Sequence, residues 1–234
     1  QVLFYKLGST FVITPQTFTL DFGSKHIKYP GIHELAYLPE NVELVKNNTA
    51  VKTVFVRFVK WNATHDTFRN GFTIPQKERL INALAKTYNV VISSEAELPE
   101  SIKRFAYGGA PESIHDVLAN SVLYIGESAT MAAEAACLNV PALFFYPKAI
   151  SYTHWLEKEY GLLQAFNVSD DAINNALLNI EEKTVFTLKN NYKRFLSENI
   201  KLSTFMYWLV LHYNDPNLMD RIATEGFFNE FRFD

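Results

Sequence analysis

Residues 121–146, SVLYIGESATMAAEAACLNVPALFFY, leave little freedom in what this chain can fold into. Residues 122–125 are a short apolar run rich in β-formers and stopped by Gly126, too short for a core helix. Gly126, Glu127 and Ser128 make a turn, and Ser128 is placed to cap the helix that follows. Residues 130–138 are rich in Ala and Met, strong helix formers with side chains small enough to let a helix lie close against a sheet. Asn139 suits the helix C-terminus, Pro141 stops the helix, and residues 142–146 resume the apolar run. Strand, turn, helix and strand at this spacing predict a βαβ unit with a right-handed crossover. In sheets of such units ligands bind at the carboxyl ends of the strands, and the positive end of a helix there suits a phosphate.

The flanking chain repeats the alternation. Residues 53–59, TVFVRFV, read as a buried parallel strand because the apolar run is nearly continuous. Pro75 opens a helix over 76–88, with Leu80, Ile81, Leu84 and Ala85 on one face. A strand over 90–93, a short strand over 105–107 and a helix over 111–120 lead into the central unit. After it, 152–160, 170–179 and a long stretch from about 183 to 213 read as helical, and 215–234 shows no period. Upstream, 2–5 and 11–14 are β-rich and 22–30 is extended. Residues 31–39, bracketed by Gly31 and Pro39, read as a linker or hinge. The expected fold is α/β, with a doubly wound parallel sheet and helices on both faces.

Composition narrows the function classes. With 48% hydrophobic residues the chain has material for a core and is not a disordered segment. Its net charge of −3 and lack of any basic block argue against a nucleic-acid partner. The single cysteine, Cys137, excludes an internal disulfide and reads as a small core residue. Cys-His zinc spacing is absent, and neither metal nor cofactor is expected. No Walker A, Gly-x-Gly-x-x-Gly, zincin or Gly-x-Ser-x-Gly pattern occurs, which argues against a P-loop kinase, a NAD enzyme and an α/β-hydrolase. The most apolar late run, 205–211, is too short to span a bilayer. Sequons at Asn48, Asn62 and Asn167 read as incidental without a signal peptide, and a cytoplasmic protein is the expectation. The chain opens at Gln1 directly into a strand-like run, as a sequence begun partway through a protein would.

Several segments, in order and spacing, resemble a known family. ITP (13–15), GIHELAYL (31–38), VRFVKWNATHD (56–66), ISSE (92–95), PESIHDVLANSVLYIGESATMAAEAA (111–136) and YGLL (160–163) are similar to the uncharacterised prokaryotic family called domain of unknown function 354. That resemblance implies the glycosyltransferase-B architecture and a distant likeness to UDP-N-acetylglucosamine 2-epimerase. It implies two Rossmann-like domains around a nucleotide-sugar cleft. Residues 1–30 would end an incomplete N-terminal domain, 31–52 would be the hinge, and 53–182 the C-terminal nucleotide-binding domain. Residues 183–234 would be the C-terminal helix and tail, crossing back toward the first domain. The expected function is a UDP-sugar-binding enzyme, transferase-like or epimerase-like, in surface polysaccharide or cell-envelope glycan synthesis. The alternative is a non-catalytic nucleotide-sugar binder or scaffold. The epimerases carry an acidic-Ser-Gly-Gly turn where this chain has Glu127-Ser128-Ala129-Thr130, and loss of both glycines removes the backbone freedom that lets a chain approach a pyrophosphate most closely.

Candidate site residues follow. Gly126, Ser128 and Thr130, with the helix N–H groups, would hold a diphosphate; the alternative is a simple capped helix. Glu127 would repel that diphosphate and is expected to face a sugar hydroxyl or a neighbouring loop. Glu134, a carboxylate among alanines six residues after Ser128, is either a solvated surface group or, as the resemblance implies, the acceptor for the ribose hydroxyls. His65 and Asp66, with Asn62 and Arg69 nearby, lie after the 53–59 strand and would serve acid/base chemistry or phosphate binding, or form only a polar loop. His33 and Glu34 in the hinge are further catalytic candidates. Arg57, a charge inside a strand, needs a structural carboxylate or a ligand phosphate. His115 and Asp116 read as a helix-surface pair. Tyr146 and Pro147 stand at a strand's carboxyl end, where a pocket would form.

Overall fold

A computed structural model describes residues 5, 8–38, 52–60, 71–146, 150–182, 187 and 191–233. The chain divides into two compact units, one formed by Gln1–Glu40 with Lys193–Asp234 and the other by Asn41–Tyr192.

The first unit contains a two-stranded parallel sheet, β1 (Val12–Pro15) beside β2 (His26–Tyr29), in the register Val12 to His26. Its core includes Ile27, Tyr29, Ile32 and Leu35 from the N-terminal part. Phe195, Ile200, Leu202, Phe205, Leu209, Leu218 and Phe231 join them from the C-terminal part. The long helix expected over 183–213 is broken: one helix runs Tyr192–Glu198 and another Leu202–His212. Between them Ile200 forms an antiparallel bridge with Arg232, and the Lys201 N–H donates to the Phe231 carbonyl at 2.7 Å. A backbone N–H committed to a partner thirty residues away cannot also continue a helix. The stretch without period, 215–234, holds a short helix, Leu218–Ala223, and a 3-10 turn, Phe227–Phe231. Its aromatics gather on Phe205 and Trp208, with Phe228 5.3 Å and Phe231 5.4 Å from Phe205 and Phe227 5.0 Å from Trp208. Tyr5, expected in a strand, is helical, and its carbonyl accepts the Ser9 N–H at 3.2 Å. The rest of that apolar run lies outside the described residues.

The second unit is the doubly wound sheet. Five parallel strands, β3 (Thr53–Phe58), β4 (Asn89–Ser94), β5 (Leu123–Gly126), β6 (Ala142–Phe145) and β7 (Leu163–Phe166), lie in the order β4-β3-β5-β6-β7. β7 is an addition to the sequence reading. The expected strand over 105–107 is reduced to one parallel bridge, Ala106 to Ile92, because Lys103–Phe105 turns as a 3-10 helix.

Alternation within the strands builds two apolar layers. Val54, Val56, Phe58, Leu123, Ile125, Leu143 and Phe145 pack with Leu80, Ile81 and Leu84 of helix Ile74–Leu84 and with Ile173 and Ile180 of helix Asp170–Glu181. Phe55, Tyr124 and Phe144 point the other way, and Phe55 stacks on Tyr124 at 6.4 Å. Burying one such Phe or Leu contributes about 1.5–3 kcal/mol. Thr73 caps its helix in a full capping box with Gln76. Helix Ser151–Trp155 continues as a π-helical turn, Leu156–Tyr160, and ends at Gly161 in the left-handed conformation.

Candidate functional site

The strand order fixes where a ligand would sit. From β3 the chain first moves outward to β4, then returns across β3 to β5, so the winding direction reverses between β3 and β5. Crevices at such reversals, outside the carboxyl ends of the strands, are the binding places of open α/β sheets. Here the crevice is bounded by the exit of β3 at Phe58 and the turn after β5 at Gly126–Ser128.

That turn is tightly built. A Cβ on Gly126 would fall 2.6 Å from the Arg57 carbonyl oxygen and 2.6 Å from the Tyr124 hydroxyl. Only glycine fits between β3 and the Tyr124 ring. The Tyr124 hydroxyl donates to the Ser128 carbonyl at 3.0 Å, and burial pushes its ionisation far above the ordinary tyrosine range. Ser128 is the N-cap of helix Ala129–Cys137, its Oγ accepting the Met131 N–H at 3.3 Å. By helix geometry the Ala129 and Thr130 N–H groups have no intrahelical acceptor, and Thr130 is exposed. The helix ends as a Schellman motif: Asn139 is left-handed at φ 57°, its N–H donates to Ala136, and the Val140 N–H donates to Ala135 at 2.8 Å.

Glu127 faces a neighbouring segment. It is 2% exposed, and its Oε1 accepts the Phe72 N–H at 2.6 Å while Oε2 accepts the Val59 N–H at 3.1 Å. One carboxylate therefore holds both ends of the segment between β3 and the Thr73 cap. A second carboxylate supports the same exit: Glu95 Oε2 accepts the Lys60 N–H at 3.0 Å, and its Oε1 pairs with Arg57 Nη2 at 2.6 Å. Arg57 also donates to Ser93 Oγ at 2.6 Å. Of the two roles open to Arg57, the structure shows the structural carboxylate. Asn62, His65, Asp66 and Arg69 lie outside the described residues.

Glu134 is not a solvated surface group. It is 6% exposed, among Ala132, Ala133, Ala135 and Ala136, which are at most 1% exposed. Its Oε1 lies 3.2 Å from Nε2 of His115, on helix Ile114–Ala119. The expected surface pairing of His115 with Asp116 is replaced by this long-range contact, since a buried carboxylate needs a donor and the imidazole supplies one.

Two hollows open beside the crevice strands. One, of about 290 Å³, is lined by Ser93, Ser94, Glu97, Lys103 and Tyr107 at the end of β4. The other, of about 170 Å³, is lined by Tyr146, Thr153, His154, Glu157 and Asn167 at the ends of β6 and β7. Pro147 lies outside the described residues. His33 and Glu34 belong to the other unit, in the 3-10 turn His33–Ala36, with His33 exposed and Glu34 buried near Tyr29. Among the described residues no group of three or more His, Cys, Asp or Glu is placed to hold a metal, and no helix is long and apolar enough to cross a membrane.

No family model matches the sequence, and no curated protein matches it. Solved structures do. The wall teichoic acid polymerase TagF superposes with a TM-score of 0.52 at 12% identity, covering 94% of this chain and 60% of that one. A TagF H444N variant soaked for 15 minutes with CDPG gives 0.53 at 12% identity, over 89% and 59%. A putative UDP-N-acetylglucosamine 2-epimerase from Listeria monocytogenes gives 0.50 at 10% identity, over 75% and 48%. The chain thus spans about 60% of the length of the TagF chains it matches. These likenesses, with the five-stranded parallel sheet, make the fold glycosyltransferase-B-like.

Proposed function

We propose that this chain binds a nucleotide sugar, with UDP as the natural nucleotide, and belongs to a transferase-like or epimerase-like enzyme of surface-glycan synthesis. One observation carries the reading. A capped helix N-terminus stands at the sheet's reversal point, and two turns along it a carboxylate is buried among alanines. The diphosphate rests against the Ala129 and Thr130 N–H groups and the Ser128 and Thr130 hydroxyls. Glu134 takes the vicinal hydroxyls of the ribose. Glu127 stays compatible with a diphosphate because its charge is turned onto the Val59 and Phe72 amides.

On this reading residues 53–182 are the nucleotide-binding domain, and kinship with the domain of unknown function 354 family is part of the proposal. Transfer and epimerisation both begin by weakening the anomeric C–O bond. The task assigned to this nucleotide site is therefore to stabilise the departing diphosphate by dipole and hydrogen bonds already in place. Acid/base work is assigned to His65 and Asp66.

Titration calorimetry with UDP and UDP-sugars tests the site. Binding should weaken by about tenfold or more in Ser128→Ala and Glu134→Gln, the scale of one hydrogen bond to a charged group. No binding to any nucleotide, or binding indifferent to both substitutions, refutes it. Product analysis with UDP-N-acetylglucosamine separates an enzyme from a binder.

A further inference from the structure

We infer that the crossover between β1 and β2 is a proton-operated switch: His26 holds the Phe22 amide while its ring is neutral and exchanges it for Asp21 on taking a second proton. The switch does not depend on the nucleotide-sugar reading above. His26 opens β2, and its side chain is 3% exposed. Its Nε2 lies 2.8 Å from Thr14 Oγ1 on β1, and its Nδ1 accepts the Phe22 N–H at 3.2 Å. Asp21 Oδ1 stands 3.4 Å from the same Nδ1, on a side chain that is 79% exposed. One ring nitrogen cannot serve both neighbours. As an acceptor Nδ1 takes the Phe22 N–H; as a donor it gives its proton to Asp21.

The bonds available decide where the neutral ring carries its proton. With the proton on Nε2, the ring donates to Thr14 Oγ1, the Thr14 hydroxyl donates to the Pro15 carbonyl at 3.2 Å, and the Phe22 N–H reaches Nδ1. With the proton on Nδ1, the Thr14 hydroxyl must turn from Pro15 to Nε2, and the Phe22 N–H loses its ring acceptor. Phe22 is 7% exposed, and a buried donor left without an acceptor is costly. A second proton, taken from solvent, leaves the donation from Nε2 as it was and replaces the Phe22 bond at Nδ1 by an ion pair with Asp21. Asp21 is ready for it. The Gly23 N–H, and His26 after it, hold the Asp21 carboxyl below its ordinary 3.8, so it is ionised across the range in which histidines titrate. Lys25 Nζ donates to the Ser9 carbonyl and Lys28 Nζ to the Phe18 carbonyl, each at 3.1 Å, while Lys28 also acts on Asp21 through its charge. Tyr5 meets Phe22 ring to ring at 6.3 Å, and Thr14 and Pro15 of β1 do not titrate. Phe22 is the lever. It precedes the turn Gly23–Lys25, where Gly23 is left-handed at φ 74°, and its ring packs on those of His26 at 5.0 Å and Phe18 at 6.0 Å.

NMR on the whole wild-type chain between about pH 8 and pH 5 tests the switch. Ring nitrogen shifts of His26 should show the Nε2–H tautomer at the upper end. As the ring titrates, the Phe22 amide should lose about tenfold or more of its exchange protection, corrected for the intrinsic rate at each pH, as a buried donor losing its partner does. The Asp21 carboxyl carbon should shift with the same midpoint, while the amides of β3–β7 keep their protection. In His26→Gln, whose side chain does not titrate, protection at Phe22 should not change with pH; should that variant fail to fold, the wild-type measurements decide alone. A neutral ring protonated on Nδ1 overturns the inference. So does a Phe22 amide indifferent to the charge of the ring, or a loss of protection shared equally by β3–β7. A ring that stays neutral until the protein unfolds in acid overturns it as well.

Discussion

Glu127 offers the most exacting test of the architecture. Its carboxylate accepts two main-chain N–H groups, Phe72 at 2.6 Å and Val59 at 3.1 Å, at 2% exposure. A hydrogen bond to a charged group contributes about 1.5–3 kcal/mol, so Glu127→Ala should cost about 3–6 kcal/mol. Glu127→Gln keeps one acceptor oxygen but turns an NH₂ toward the second amide, and should cost about half as much. Two measurements check this. Urea unfolding should rank wild type above Glu127→Gln above Glu127→Ala. Amide hydrogen exchange, where each 1.4 kcal/mol is tenfold, should accelerate at Val59 and Phe72 by roughly 10²–10⁴-fold in Glu127→Ala. An alanine variant within about 0.5 kcal/mol of wild type, with both amides still protected, would refute the tether, since that is the range of an inconsequential surface change.

Other substitutions probe neighbouring features. Gly126→Ala places a methyl 2.6 Å from the Arg57 carbonyl, inside the sheet, and should destabilise by about 1–3 kcal/mol in thermal unfolding. Tyr124→Phe removes the bond to the Ser128 carbonyl and should cost about 1 kcal/mol; in wild type, ultraviolet titration should find this phenol un-ionised at pH 12. Thr73→Ala breaks a capping box and should cost about 1 kcal/mol by the same unfolding assay. Arg221 and the Asn217 N–H hold Asp215 below its ordinary carboxylate value of 3.8. Its contribution to stability is therefore full above that value and lost as pH falls through the lower folded-state value. Carbon NMR titration should show this depression in wild type, and a smaller one in Arg221→Gln, where the Asn217 N–H still donates.

The legible parts of the fold are those written locally. TVFVRFV, LYIG and ALFF are short, almost wholly apolar runs bounded by turn residues, and each is a central strand. Ser128 announces its helix because a cap bond closes within three residues, and Pro75 marks the first turn of the other. β7 escapes the same reading because Leu163–Phe166 lies next to a single strand, and its Gln164 breaks the apolar run. The break at Asn199–Lys201 escapes it because the Ile200–Arg232 bridge is a long-range event that local propensity does not encode. The site divides likewise. Glu134 is conspicuous as an acid among alanines, whereas His115 looks like an ordinary helix-surface residue until the fold brings it to 3.2 Å. Nothing local marks Glu127 as a main-chain tether, because its partners are amides 55 and 68 positions away.

The division of the chain bears on how it is made. The unit holding β3–β7 is one uninterrupted stretch, Asn41–Tyr192, whereas the other draws on Gln1–Glu40 and Lys193–Asp234 together. Domains ordinarily fold in the order in which they leave the ribosome. A contiguous unit can close its sheet as soon as its own residues are made, whereas a discontinuous one needs both of its segments. Ile27, Tyr29 and Ile32 are buried in the same unit as Phe205, Leu209 and Phe231, so its core draws on both segments.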